Sequence, residues 1–144
     1  MLNKIVLILV GAALAVGLSA CETKEHHDQR TVVDQVVVFD GHWTDDNDPN
    51  QGDSSKISAV IKDGDIRINL ESTDSSALFW KGTFPKASQG PTKFVSQADV
   101  KALSESLLGS SDKKKTFTYE DGVLTFDLSM MGVTRHVHLE KQES

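Results

Sequence analysis

The chain is poor in the residues that usually carry chemistry. It has one cysteine, one tyrosine and three prolines in 144 residues. A lone thiol closes no disulfide within the chain, so stability has to come from a packed core. The prolines (Pro49, Pro85 and Pro91) fall in loop contexts, and there is no internal repeat or low-complexity stretch. Basic residues are outnumbered 15 to 21, for a formal charge of −6. That is the wrong sign for a nucleic-acid binder, which needs a basic face to neutralise phosphates. The one basic run, Lys113-Lys114-Lys115, lies between Ser-rich and Thr-rich segments and reads as a solvated loop. Catalytic motifs are missing as well: no G-x-S-x-G elbow, Walker loop, H-E-x-x-H helix or G-x-G-x-x-G turn occurs. Neither a catalytic residue nor a cofactor is expected.

Long apolar runs are scarce too, with a single exception. Met1 to Lys4 is short and weakly basic, Ile5 to Leu18 is almost wholly apolar, and the chain turns polar after Cys21. The run is shorter than the roughly 20 residues that cross a bilayer and matches the apolar region of a signal peptide. An uncleaved spanning helix is one alternative. Ordinary cleavage after Ala20 is another, although Leu18 occupies a position where such sites prefer a small residue.

Leu18-Ser19-Ala20-Cys21 resembles the lipobox of bacterial lipoproteins. The resemblance implies cleavage before Cys21 and a diacylglyceryl thioether on its sulfur, with palmitate-type chains. It places the protein on the extracytoplasmic side of the bacterial cell membrane. Two acyl chains make a stable anchor where one is marginal, at about 0.8 kcal/mol per buried methylene. Lipidation would also use up the only thiol, removing thiol catalysis. The expected organisation is a signal peptide over 1–20, a polar tether over 21–30 and one domain over 31–144. Without Lys4, 14 basic residues face 21 acidic ones, a charge of −7. Acyl chains rather than electrostatics would then hold the protein to anionic lipid.

The body alternates as half-buried strands do. Ile57, Ala59 and Ile61 share one face, and so do Ile66, Ile68 and Leu70, with Asp63-Gly64 between the two runs. Asp-Gly between alternating runs signals a hairpin because both positions tolerate positive φ. The device recurs at Asp121-Gly122, and Met130-Met131-Gly132 leads into Val133, Arg135, Val137 and Leu139. Val32 to Phe39 and Ala77 to Phe84 read as further strands. One helix is expected near 97–108: Ser96 with Asp99 resembles a capping box, Val100, Leu103, Leu107 and Leu108 have helical spacing, and Gly109 ends it. The fold class is mainly β, an antiparallel meander closing as a small barrel or sandwich.

Gly41-His42-Trp43 resembles the Gly-x-Trp signature of lipocalin-like barrels. In that family an arginine on the last strand packs across the tryptophan and closes the barrel base, which implies a closing pair of Trp43 and Arg135. Strand alternation also puts Arg135 on an apolar face, where a charge needs a partner. The run from Lys56 to Phe84 is loosely similar to small lipoproteins of actinobacteria and their phages.

Three clusters raise a metal reading. The loop Asp45 to Asp53 is dense in oxygen ligands, but read from Asp46 its glycine falls one place late and Ile57 replaces the bidentate glutamate. It reads as a solvated loop between strands. His136 and His138 point the same way, with His42 or an acid as a third ligand, yet their face also carries Thr134 and Glu140 and reads as the solvent side. His26-His27-Asp28 lies in the tether. No metal is expected. Phe79, Trp80 and Phe84 read as core; strand alternation puts Trp80 with Phe84 and Phe79 on the other face. With Met130 and Met131 they would line an apolar pocket if the barrel has an open mouth.

The sequence thus leads to a lipid-anchored envelope lipoprotein. Its domain is expected to be a non-enzymatic binding module for an apolar small molecule or a protein partner. An alternative is a phage- or prophage-encoded superinfection-exclusion lipoprotein that blocks the passage of competing phage DNA. A hydrolase assembled across loops from His42, Asp45 and His138 ranks last.

Overall fold

The computed structural model describes residues 36–47 and 55–143, within the compact unit Val32–Ser144. The elements run β1 (Val36–Val38), β2 (Gly41–Thr44), β3 (Lys56–Lys62), β4 (Asp65–Glu71), β5 (Ser76–Thr83), β6 (Ala87–Gln89) and β7 (Thr92–Gln97), then α1 (Val100–Ser104), β8 (Lys114–Glu120), β9 (Val123–Met130) and β10 (Val133–Lys141). Alternation builds them as expected: Ile57, Ala59 and Ile61 of β3 are buried while Lys56 and Lys62 are exposed. Two-residue turns join β3 to β4, β8 to β9 and β9 to β10. The turn residues Asp63-Gly64, Asp121-Gly122 and Met131-Gly132 all have positive φ, the mirror-image geometry that suits the twist of a hairpin.

Eight strands form one antiparallel sheet in the order β5-β4-β3-β2-β10-β9-β8-β7. Pairing of β2 with β10 brings the ends of the meander together, and the sheet curls into a nearly closed barrel. The remaining seam lies between β5 and β7. One bridge crosses it, Gly82 to Ala98. Beside that bridge, the Asp99 N–H donates to the Lys81 carbonyl at 2.8 Å and the Gln97 N–H to Thr83 Oγ1 at 3.0 Å. Glycine is required at 82, because a Cβ there would stand 2.4 Å from the Gln97 carbonyl oxygen. No side chain fits that approach.

The barrel is filled rather than hollow among the described residues. Phe39, Phe84, Phe94, Phe117 and Phe126 form a file of rings with successive centroids 4.5 to 5.7 Å apart, the spacing of attractive aromatic pairs. β1 and β6 make a separate two-stranded sheet. Beside it, the Phe39 N–H donates to the Lys86 carbonyl at 3.0 Å, which seats Phe39 in the core.

Three expectations need correction. First, the register of β4 and β5 shifts so that Ile68 faces Trp80 and Asn69 faces Leu78. Phe79 is the extra residue of a β-bulge, and Phe79 and Trp80 are both buried. Second, α1 spans only Val100–Ser104, with Asp99 as its cap. Ser96 is a buried strand residue, and Leu107 and Leu108 lie beyond the helix. The helix stops because the following loop is pinned to β5: Ser106 Oγ donates to the Leu78 carbonyl at 2.6 Å and the Ser110 N–H to the Phe79 carbonyl at 2.8 Å. A helix this short has little intrinsic stability, so tertiary bonds set its end. Third, the lysine run is no solvated loop. Lys114 begins β8, and Lys115 shares the inner face with Phe117 and Tyr119.

Candidate functional site

Trp43 on β2 is buried, and its indole N–H donates to the Phe39 carbonyl at 2.9 Å. Its ring meets Tyr119 edge-on at 6.4 Å. Arg135 on β10 lies opposite Leu128, and its Nη2 donates to Asp45 Oδ2 at 2.9 Å. The second carboxylate oxygen of Asp45 accepts from the Ile57 N–H at 2.8 Å. The Asp45 side chain is 0% exposed, so Asp45 does not begin a solvated loop. Its own N–H donates to the Ile57 carbonyl at 3.2 Å, carrying the β2–β3 ladder one step further and turning the carboxylate inward. A buried carboxylate is tolerable when a cation and a backbone donor answer it, and the half-buried Arg135 and the Ile57 N–H do so here. Alternation located the cation. Its partner, 90 positions away in sequence, left no local signal.

The outer residues of the acidic loop behave differently. Asp46 is bound by Lys56 and by the Thr44 hydroxyl, and these contacts hold its carboxyl below the usual value of 3.8. Asn47 donates to Glu140 at 2.7 Å. Asp48 and Asp53 lie outside the described residues.

His136 is exposed, with Nδ1 2.7 Å from Asp127 Oδ1, and its ring meets that of His138 at 5.0 Å. The register sets His138 opposite Thr125 and His42 opposite Val60, on a different pair of strands. Among the described residues no three His, Cys, Asp or Glu side chains are grouped to hold a metal.

Lys115, which the sequence placed in a solvated loop, is a buried cation. Its ammonium donates to Asp112 Oδ2 at 3.1 Å and to the Asp127 carbonyl at 3.2 Å, and lies 5.2 and 5.3 Å from the Phe79 and Trp80 ring centres. Two ring faces and a carboxylate make burial of a lysine affordable. The ammonium in turn holds the Asp112 carboxyl below its usual value. The Trp80 indole N–H donates to Ser96 Oγ at 3.1 Å across the seam. The bulge at Phe79 is what brings both rings under the lysine.

Open apolar surface gathers just outside this cluster. Leu107 is 102% exposed and Val100 64%. Two grooves flank α1. One, of about 320 Å³, is lined by Val100, Leu103, Gly109, Ser111, Asp112 and Lys113 among others. The other, of about 410 Å³, is bordered by Arg67, Leu78, Glu105 and Leu107. Met131 and Val133 are also exposed, at the β9–β10 turn, whereas Met130 packs on the core. The expected pocket residues Phe79, Trp80 and Phe84 are all packed in the interior.

The lipobox residues Leu18, Ser19, Ala20 and Cys21 lie outside the described residues, as do His26, His27 and Asp28. No helix among the described residues is long and apolar enough to cross a membrane. In comparison with known proteins the chain matches no family model, no curated protein and no solved structure.

Proposed function

We propose that the chain is a bacterial lipoprotein anchored through Cys21 on the extracytoplasmic side of the cell membrane. Its barrel acts there as a non-enzymatic binding module that engages its target on the outer surface around α1. One observation carries the binding part. The interior is occupied by aromatic rings packed mostly edge to face, whereas exposed Val100 and Leu107 line two grooves beside α1. Clustered apolar side chains left in water mark contact surfaces more often than scattered ones do. The anchor rests on the lipobox resemblance and on the polar switch after Cys21.

Metabolic labelling with palmitate tests the anchor. Label is expected on the wild type and not on Cys21→Ser; label persisting in the variant overturns it. Pull-down from native membranes together with mass spectrometry of lipid extracts tests the surface, comparing wild type with Val100→Ser and Leu107→Ser. An unchanged set of bound molecules in both variants would remove α1 from the proposal.

A further inference from the structure

Charge around the smaller groove is distributed unlike charge on the rest of the chain. The protein carries −6 overall, yet the groove is edged by exposed Lys113, and exposed Lys114 follows directly on β8. Among the described residues neither lysine makes an ion pair. The one acid in the lining, Asp112, is already held by Lys115 at 3.1 Å and by the Ser110 hydroxyl at 2.9 Å. Leu103, 6% exposed, and Val100 supply an apolar wall. The groove is therefore apolar along one side and cationic at its rim.

From this arrangement we infer that the groove beside α1 binds a single-chain amphiphile with a carboxylate head, a fatty carboxylate. The acyl chain lies along Val100 and Leu103, and the head group meets Lys113 and Lys114. A volume of about 320 Å³ is at the small end of ligand pockets, which run from about 300 to 1,000 Å³. It suits one unbranched chain better than a diacyl lipid. The cationic rim selects the head, because a neutral head gains no ion-pair attraction from the two lysines and a cationic head is repelled. The inference rests on the binding-module reading and names the ligand of the same surface.

The test uses the full chain in vesicles of neutral phosphatidylcholine, with a diazirine-bearing dodecanoate as probe. Cross-linked peptides are mapped by mass spectrometry. Saturable label is expected within residues 100–113, falling about tenfold in Lys113→Glu/Lys114→Glu and in Val100→Asp, where tenfold corresponds to about 1.4 kcal/mol. All three positions are exposed, so the variants should fold, and an unchanged thermal midpoint checks this. The matching diazirine alcohol should label the groove severalfold less. Equal labelling by the alcohol, or no loss in the double lysine variant, overturns the inference. Label on the core strands 117–126 also overturns it, but leaves a binding module with an interior site. Label spread over the whole surface without saturation overturns both.

Discussion

Two halves of the barrel wall are closed by different means. From β3 to β4 and from β8 through β9 to β10, the strands are joined by two-residue turns; β3–β4 and β9–β10 pair along almost their whole length, and β8–β9 over the four residues next to their turn. Between β5 and β7 a single bridge, a few side-chain bonds and the α1 loop do the same work. The ladders are self-sufficient because adjacent strands in sequence are adjacent in space. The seam has to be made by residues that meet only after the sheet has curled. The two grooves beside α1 border β5 or the α1 loop, so that binding surface lies where the ladder ends. An uncovered strand edge would invite pairing with another chain, and the α1 loop prevents that by laying its own donors along β5.

The contrast can be broken most severely at Asp45, on the laddered side. Asp45→Ala leaves Arg135 and the Ile57 N–H without that carboxylate and should cost about 3 kcal/mol, the low end for loss of one partner of a buried pair, because Arg135 is partly exposed. Denaturant unfolding would measure it. On the seam, Gly82→Val should cost about 2 kcal/mol by forcing apart the Gly82–Ala98 approach. The same variant should speed hydrogen exchange at Asp99 and Ser110 far more than in β9. A smaller effect is expected at a hairpin: Gly122→Ala, at φ 88° with open space around it, should cost about 1 kcal/mol by backbone strain alone. If Gly122→Ala proved as damaging as Gly82→Val, the claim that close approach dominates at the seam would fail.

The smallest expected effect is on pH dependence. Lys81 and the Ala102 N–H hold the Asp99 carboxyl below its ordinary value of 3.8, and Lys115 does the same for Asp112. A carboxylate with a lowered folded-state pKa adds stability above its unfolded value and loses it as pH falls through the folded one. Seam amides at Asp99 and Ser110 should therefore lose protection selectively below about pH 4, while the β9–β10 ladder keeps its own. Uniform loss along both would show that these ion pairs do not act locally.

Much of this was legible in advance, and particular residues show why. Alternation at Ile57 to Ile61 and the Asp-Gly pairs encode strands and turns locally, so the meander could be read directly. Alternation also flagged Arg135 as a charge on an apolar face. Lys115 was hidden by its two neighbours, since three consecutive lysines look solvated until the start of β8 is known. Phe79 was read as core, but not on the same side as Trp80, because the bulge inserts one residue and breaks the alternation that assigns faces. The helix was overestimated because Leu107 and Leu108 continue a spacing that the Ser106 and Ser110 bonds to β5 override.

The sequence by itself determined the mainly β class, the hairpin turns, the scarcity of cysteine and the apolar segment ending at Cys21. These are properties of single residues or of neighbours along the chain. Only the tertiary structure decided that Asp45 answers Arg135, that Lys115 lies against Phe79 and Trp80, and that Gly82 closes the seam. Each of those joins residues distant in sequence, and only a curled sheet brings such distant residues within a hydrogen bond of one another.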